Sequence, residues 1–228
     1  MELFDYFQIQ GFPGKMVRCW NLDDQRSESG VEKMPAYDQS SNEVTFKIVY
    51  FGPGLAGKTT NIQYIHRSKA PQSKGKIVAK YKEDLGHILS CEFYPQVSFQ
   101  GYNVKFHLMA RVGNVFYLGW PYVLQDVDGV VFVADSQMLR MDANLEMREL
   151  LEKLLTQNNV NFHRLPFVLQ LNKRDCLEIA SVAEMLQLLN PRQGPYFEAI
   201  ARQGIGVVES LKSVVRQIMD QEKYTGKN

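Results

Sequence analysis

Cysteine is scarce in this sequence. The 228 residues include three cysteines, Cys19, Cys91 and Cys176, which are scattered along the chain without a C-x-x-C pair. An odd number of isolated cysteines argues against a disulfide framework, and the missing pair argues against a structural zinc site. We therefore expect the protein to work in a reducing compartment.

The sequence also lacks an excess of charge and any long hydrophobic run. Lys and Arg number 26 against 25 Asp and Glu, a formal net charge of +1, so no general attraction for nucleic acid or an anionic membrane is expected. No run approaches the roughly 20 apolar residues that span a bilayer, and neither a secretory signal nor a prenylation cysteine is recognisable. We expect a cytoplasmic protein that reaches a membrane only through a partner.

The composition that remains is that of an ordinary folded chain. Hydrophobic residues make up 45% and charged residues 22%, and the length suits one α/β domain with an appendage. Residues 1–44 carry eight acidic and four basic residues, a net charge of −4, which leaves +5 for residues 45–228. Residues 21–42 are polar and aperiodic, as in a linker. We predict an N-terminal extension or arm over residues 1–44 and one folded domain over residues 45–228.

Strand-like and helix-like segments alternate from residue 45 onward. The predicted strands are Phe46–Phe51, Val104–Met109, Gly129–Ala134, Phe167–Leu171 and Tyr196–Ala201. The predicted helices are Thr59–Arg67, Asp142–Thr156, Ser181–Leu189, which Ser181 caps, and Val207–Met219. Strands that alternate with helices predict the α/β class, with a mostly parallel sheet covered by helices on both faces.

A glycine-rich segment follows the first of these strands and opens the first helix. Residues 52–59, GPGLAGKT, match the pattern G-x-x-x-x-G-K-[ST], whose backbone N–H groups cradle phosphates. In such a loop Lys58 reaches the β and γ phosphates and the Thr59 hydroxyl ligates Mg²⁺. The candidate phosphate-binding residues are Gly52, Gly54, Leu55, Ala56, Gly57, Lys58, Thr59 and Thr60. The alternative is a glycine-rich turn capped by Thr59, with Lys58 in solvent.

A second polar segment, Asn172–Asp175, follows the buried strand Phe167–Leu171 and so lies at the carboxyl edge of the sheet. The Asp175 carboxylate can accept two hydrogen bonds from the N1–H and exocyclic amine of guanine, whereas adenine offers no matching donors. Lys173 can lie along the base and Asn172 can tie this segment to the phosphate loop. Further along, the N–H of Ala201 is placed to meet the guanine O6, with Arg202 beside it. By itself N-K-x-D is more often a surface turn.

Four runs of the sequence resemble Ras-like small GTPases and, among them, the bacterial MglA-type switches of cell polarity and gliding motility. They are residues 47–61, 127–137, 140–144 and 172–175, and the resemblance covers about residues 46–219. It implies a three-layer P-loop NTPase fold, the Ras-like G domain, which binds GTP or GDP with Mg²⁺ and whose two switch loops are ordered by GTP. It also implies a roadblock-type MglB-like regulator, polarity or motility effectors, and recruitment to a cell pole.

The sequence departs from this family in both switch segments. When residues 92–95 are aligned with the first switch, His87 stands where MglA-type proteins carry an intrinsic arginine finger, and Ile88 stands where they carry the threonine that closes on Mg²⁺. In the second switch, Ala110 replaces the aspartate of D-x-x-G-Q and Asn114 replaces the glutamine that positions water. Asn114 and His87, with Lys58, remain the candidate catalytic residues. We expect weak or absent intrinsic hydrolysis, because an arginine finger alone contributes roughly 10³- to 10⁵-fold in rate.

Two arginines of the sequence have no role in these motifs. Arg111 and Arg140 are by default surface or salt-bridging residues, although Arg111 could approach the γ phosphate if its loop folds inward.

One alternative function is a P-loop ATPase or small-molecule kinase in which Asp135 binds the metal. The other is a nucleotide-free scaffold that keeps only the fold. Nucleotide preference separates the three.

Overall fold

The computed structural model describes residues 36–68, 73–82, 86–95, 97–113 and 119–225. The strands are β1 (Ala36–Asp38), β2 (Glu43–Phe51), β3 (Lys74–Lys82), β4 (Gly86–Phe93), β5 (Ser98–Phe99), β6 (Tyr102–Arg111), β7 (Gly129–Asp135), β8 (Phe167–Asn172) and β9 (Tyr196–Glu198). The α-helices are α1 (Lys58–Ser68), α2 (Trp120–Leu124), α3 (Met141–Gln157), α4 (Val182–Leu189) and α5 (Val207–Thr225), and a 3₁₀ turn at Met138–Arg140 precedes α3.

The strands form one mixed sheet in the order β3-β4-β6-β2-β7-β8-β9, with β1 paired to β2 and β5 paired to β6. Neighbours from β6 to β9 run parallel, while β4 is antiparallel to β6 and β3 is antiparallel to β4. All seven residues of β7 are buried, as expected for a parallel strand with both faces covered. Since β2 lies between β6 and β7, the loop that follows β2 emerges at the middle of the sheet.

Two hydrophobic clusters cover the two faces of the sheet, and β2 alternates between them. Ile48 and Tyr50 join α1 and α5 on one face, while Val49 and Phe51 join α2, α3 and α4 on the other. This alternation is the period of two that a strand imposes on its side chains. The result is a three-layer α/β domain, which confirms the predicted fold class.

The four helices and the central strands were predicted close to their observed positions. The Ser181 hydroxyl accepts a hydrogen bond from the Glu184 N–H at 3.2 Å, so the predicted cap of α4 is present. The predicted strand Tyr196–Ala201 was too long: β9 ends at Glu198, because residues 201–204 turn back to bring Ile205 against Ile200.

The antiparallel edge of the sheet was not predicted. Strand β3 has no apolar alternation, and its residues Lys76, Lys80 and Tyr81 are exposed. An edge strand with charged side chains lacks the buried face that gives a strand its sequence pattern. β3 is therefore defined by its pairing with β4 and not by its local hydrophobicity. β4 does alternate, with Leu89, Cys91 and Phe93 buried, and it pairs with β6.

The polar segment 21–42, interpreted as a linker, ends inside the sheet. β1 pairs antiparallel with β2, with Ala36 opposite Thr45, and Asp38 caps the turn by accepting hydrogen bonds from Ser40. β1 has two half-exposed residues and one exposed residue, too weak a pattern to be recognised as a strand. Residues 1–35 lie outside the described residues, and the predicted boundary at residues 44 and 45 falls within β2. The division into an arm and a domain stays a prediction.

Candidate nucleotide-binding site

The predicted phosphate loop lies between the end of β2 and the start of α1. Gly52 and Gly57 have φ values of +136° and +102°, in the region that favours glycine. A Cβ on Gly52 would overlap the carbonyl oxygen of Val133, and one on Gly57 would overlap the side-chain amide of Asn172. Both glycines are therefore required by backbone conformation and by close approach of neighbouring strands. The other predicted residues follow in order: Gly54, Leu55 and Ala56 lie in the loop, and Lys58, Thr59 and Thr60 begin α1.

Lys58 is buried under the loop with only 5% of its surface exposed. Its Nζ donates hydrogen bonds to the carbonyl oxygens of Gly52 at 2.9 Å and Pro53 at 2.5 Å. An ammonium group has three N–H donors, so these two bonds hold the side chain in place with one donor still to be aimed at an anion. Burial, reinforced by the positive charges of Arg111 and Arg140, lowers the pKa of Lys58 to about 7. A bound phosphate would restore the charged form.

Asn172, at the end of β8, joins three segments that are distant in sequence. Its Nδ2 donates to the carbonyl oxygen of Ala56 at 2.7 Å, and its Oδ1 accepts from the N–H of Ala201 at 2.9 Å. The side chain is 3% exposed, so both bonds lie away from water. The Ala201 N–H was expected to face guanine O6, but it already serves Asn172, and O6 would have to share this donor.

Lys173 is held by a buried carboxylate. Its backbone adopts a left-handed φ of +66°, and its Nζ donates to Oδ2 of Asp135 at 2.6 Å. The other oxygen of Asp135 accepts from the backbone N–H of Gln137 at 3.2 Å and from the Gln137 side chain at 3.1 Å. Asp135 is fully buried, so its charge is neutralised by Lys173 and, at 3.8 Å, by Arg140. Asp135, which was considered as a metal ligand, thus positions Lys173 in the segment that would read the base.

Asp175 forms an ion pair with Arg202, the residue that follows Ala201. The Asp175 side chain is 18% exposed and that of Arg202 is 71% exposed, so the pair lies at the surface of the site. Exposed ion pairs contribute little stability. A base that donates two hydrogen bonds to Asp175 could therefore compete with Arg202 for this carboxylate.

Of the residues at which the resemblance implies magnesium-directed oxygens, Thr59 is present and two others are replaced by apolar residues. Thr59 contributes a half-buried hydroxyl at the first turn of α1. Ala110 and Ile88, at the positions where the resemblance implies metal-directed oxygens, are buried apolar side chains in β6 and β4. Within the part of the chain that the structure describes, no three His, Cys, Asp or Glu side chains cluster so as to hold a metal ion. Mg²⁺ at a nucleotide site completes its six ligands with phosphate oxygens and waters, so Thr59 is the residue that would hold it here.

His87 and Asn114 are the candidate catalytic residues of the switch segments. His87 lies in strand β4, not in a loop, with its exposed ring 4.8 Å from that of Tyr81. Its carbonyl oxygen accepts from the N–H of Val112, which joins the two switch segments by their backbones. Asn114 lies outside the described residues.

Two arginines were assigned by default to a surface or salt-bridging role, and Arg140 does form an ion pair with Asp135 at 3.8 Å. Arg140 donates from Nη2 to the carbonyl oxygen of Gly54 at 3.0 Å. Arg111 is 6% exposed, and its guanidinium lies 5.7 Å from the centre of the Trp120 ring. The surface interpretation of Arg111 was wrong, because β6 carries this residue under α2. The sequence did carry a signal that Arg140 lies near the site, because this residue follows β7 at the carboxyl edge of the sheet.

The phosphate loop follows a central parallel strand, and Asn172 joins it to an N-K-x-D segment at the same edge of the sheet. This arrangement defines a P-loop G domain of the Ras-like class. The family model described as "Arf: ADP-ribosylation factor family" matches residues 34–218. The mutual gliding-motility protein MglA of Myxococcus xanthus (strain DK1622) is 41% identical over 196 residues, which cover 85% of this chain and 100% of that protein. The chain belongs to the ADP-ribosylation factor family, as an MglA-type small GTPase, and the resemblance to MglA-type proteins is confirmed.

Proposed function

We propose that the protein is a guanine-nucleotide-binding switch that takes GTP and GDP. The observation that carries this proposal is the Asn172 side chain, which bonds to Ala56 in the phosphate loop and to Ala201 beside the base segment. This bridge joins two parts into one site: the loop that cradles the phosphates and Asp175, the carboxylate that reads the base. A site that pairs such a carboxylate with guanine rejects adenine, because adenine leaves the charge without donors.

Hydrolysis of GTP by this chain alone is slow in our proposal. Ala110 offers no oxygen at the second switch, and Ile88 is packed in β4 with 8% exposure. His87 is an imidazole where an arginine finger would contribute roughly 10³- to 10⁵-fold in rate. Because such groups act as a unit, their losses do not simply multiply. GTP therefore stays bound long enough for the bound state to act as a signal until a partner ends it.

Protein partners are proposed to use the edge of the sheet where the nucleotide binds. Leu139 and Leu177 are 90% and 89% exposed, and they lie on neighbouring loops that the bond from the Met138 N–H to the Glu178 carbonyl oxygen joins. Exposed apolar side chains in such a cluster favour contact with another protein. The name of the Myxococcus relative suggests control of gliding motility, with an MglB-like roadblock regulator and polarity effectors as partners. We propose, from that similarity, a cytoplasmic protein that partners recruit to a cell pole. None of the helices in the described residues could span a bilayer.

The nucleotide released from the purified, denatured protein tests this proposal most directly. We expect GTP or GDP on chromatography, and GDP should outcompete ATP in equilibrium binding. Recovery of ATP would favour the ATPase or kinase hypothesis, against which the pairing of Asp135 with Lys173 at 2.6 Å already argues. Absence of nucleotide, together with failure to bind added GDP and GTP, would favour the scaffold.

Single-turnover measurement of GTP hydrolysis tests the proposal that this chain alone hydrolyses GTP slowly. The double variant His87→Arg with Asn114→Gln restores both family residues and should raise the rate by about 10²-fold or more, because a positioned arginine stabilises the charge of the transition state. His163→Arg, at an exposed histidine in the loop before β8, is the matched control and should change nothing. Rapid hydrolysis by the unmodified chain would contradict the proposal of weak turnover.

A further inference from the structure

Three polar side chains are buried between α1, β8 and α5, on the face of the sheet that these two helices cover. They are Asn61, Gln170 and Ser210, and none of them is exposed to solvent. Their surroundings are apolar, since Ile62 of α1 and Val168 of β8 belong to the hydrophobic cluster on this face. Burying a polar group costs free energy unless it is hydrogen-bonded, so such a cluster is stable only when its hydrogen bonds are complete.

Asn61 and Gln170 form a reciprocal amide pair. The Gln170 side chain donates to Asn61 Oδ1 at 2.9 Å, and the Asn61 side chain donates to Gln170 Oε1 at 2.8 Å. Gln170 also donates to the Ser210 hydroxyl at 3.1 Å, and this hydroxyl donates to the carbonyl oxygen of Gly206 at 2.6 Å. The pair holds the Asn61 side chain in one orientation and leaves its second N–H for a bond outside the cluster.

That second N–H is bonded to the phosphate loop. Asn61 Nδ2 donates to the carbonyl oxygen of Gly57 at 3.0 Å, and the backbone N–H of Asn61 donates to the same oxygen at 3.0 Å. The backbone bond is present in any α-helix, whereas the side-chain bond exists only because residue 61 carries an amide. Gly57 has a φ of +102°, and glycine has the widest range of backbone conformations. A side chain that fixes its carbonyl therefore restricts the next peptide group where the chain is freest.

The peptide group between Gly57 and Lys58 connects this carbonyl to the nucleotide site. A trans peptide is planar, so the Lys58 N–H points opposite to the Gly57 C=O. Because the carbonyl is turned along α1 toward Asn61, the N–H points out of the N-terminal end of the helix, where a P-loop protein binds phosphates. Rotation of this peptide would present a carbonyl oxygen to the phosphates and repel them.

Resting on the proposed binding of GDP and GTP, we propose that Asn61, held by Gln170, is a positioning residue that aims the Lys58 N–H at the β phosphate of the nucleotide. Packing alone does not require the two amides, because a leucine and a methionine of similar shape would fill the space without polar groups to satisfy. The pair also joins the helix that begins at the phosphate loop to the strand that ends at the base segment.

Paired apolar substitutions separate positioning from packing. The double variant Asn61→Leu with Gln170→Met removes both amides and leaves Ser210 bonded to Gly206, so it should keep most of its stability. Its affinity for GDP should nevertheless fall about tenfold or more, the contribution of one hydrogen bond to a charged phosphate. GMP lacks the β phosphate, so the loss of GMP affinity should be much smaller. Equilibrium titration with the two nucleotides and denaturant unfolding measure these effects on the full chain.

Gln217→Met is the matched control. Gln217 of α5 exchanges two hydrogen bonds with the backbone of Phe167, at 3.2 and 3.1 Å, at the opposite end of β8 from the site. This variant should lose stability but keep the GDP affinity of the unmodified chain.

Two results would overturn the inference alone: GDP binding by the double variant as tight as by the Gln217→Met control, or equal weakening of GDP and GMP binding. If the double variant does not fold, Asn61→Ala is measured and judged by the same two comparisons. If the unmodified chain binds neither GDP nor GTP, the proposed function is overturned and this inference with it.

Discussion

The side-chain amide of Asn172 donates to the carbonyl oxygen of Ala56 at 2.7 Å, although their strands, β8 and β2, are separated in the sheet by β7. The bond lies where the parallel strands end, so it ties the loop after β2 to the loop after β8. Gly57 permits it, because any larger residue there would collide with the amide. The phosphate cradle and the base segment are thereby held as one rigid unit.

We predict that Asn172→Ala lowers both stability and nucleotide affinity. The change leaves the Ala56 carbonyl and the Ala201 N–H buried without their partner, which costs about 1–3 kcal/mol for each group. Denaturant unfolding and GDP titration would measure the two effects. The matched control is Asn190→Ala: Asn190 is a buried asparagine bonded at both amide atoms to Gly194, after α4. It should lose stability but keep GDP affinity; equal loss of affinity in both variants would contradict a specific role for Asn172.

A second prediction concerns pH. Burial first, and then Arg111 and Arg140, hold the pKa of Lys58 at about 7 in the folded protein, against 10.5 for ordinary lysine. Between these two pKa values the unfolded chain binds more protons than the folded protein. The free energy of unfolding of the nucleotide-free protein should therefore rise with pH, by up to about 1.4 kcal/mol per pH unit. Below pH 7 Lys58 is charged in both states, and the folded protein bears the full cost of burying that charge. Lys58→Met should remove this part of the slope in denaturant unfolding, whereas Lys212→Met, at an exposed lysine of α5, should keep it.

GDP binding should, for the same reason, take up a proton above pH 7. The bound phosphate stabilises the ammonium form of Lys58, and the affinity should therefore fall as pH rises above 7. Calorimetric titration in buffers of different ionisation enthalpy measures the proton uptake directly. No uptake at pH 8 would mean that Lys58 is already charged in the nucleotide-free protein.

The third prediction concerns choice of base. Asp175→Asn replaces a carboxylate that accepts two hydrogen bonds by an amide that accepts and donates, so GDP binding should weaken about tenfold or more and xanthosine diphosphate binding should improve. Competition titration with the two diphosphates measures the change. Arg202→Ala is the control, because it breaks the same ion pair but keeps the carboxylate, and its preference for GDP should persist. Unchanged preference in Asp175→Asn would remove this residue from base reading.

The fourth prediction concerns where the folded domain begins. Deletion of residues 1–35 should leave the unfolding midpoint nearly unchanged if those residues form a separate arm, whereas deletion of residues 1–44 should lower stability by roughly 3 kcal/mol. The longer deletion removes β1, the fully buried Val44, and the pairing of the Tyr37 ring with Tyr102 at 5.0 Å. Thermal unfolding of the two truncated proteins compares them. Equal stability would place the start of the domain after residue 44. A change in GDP affinity on the shorter deletion would give the arm a part in the switch.

The amino-acid sequence by itself determined the phosphate loop, the base segment, the helices and the central strands. Gly52–Thr59 is recognisable because its backbone conformation and close packing need particular residues at fixed local spacing. Strand β7 and helix α3 are recognisable because burial on both faces or on one stripe leaves a regular apolar pattern. The net charge of +1 predicted that any bound polyanion would be held locally, and the phosphate loop is where we propose that it binds.

Only the tertiary structure decided which distant side chains meet at that loop. The edge strand β3 depends on its pairing with β4, and no apolar pattern marks it. Arg111 reaches Trp120 because β6 carries it under α2, and Asp135 meets Lys173 because β7 and β8 end side by side. Such contacts join residues tens of positions apart, and their energies depend on burial, which local sequence does not specify.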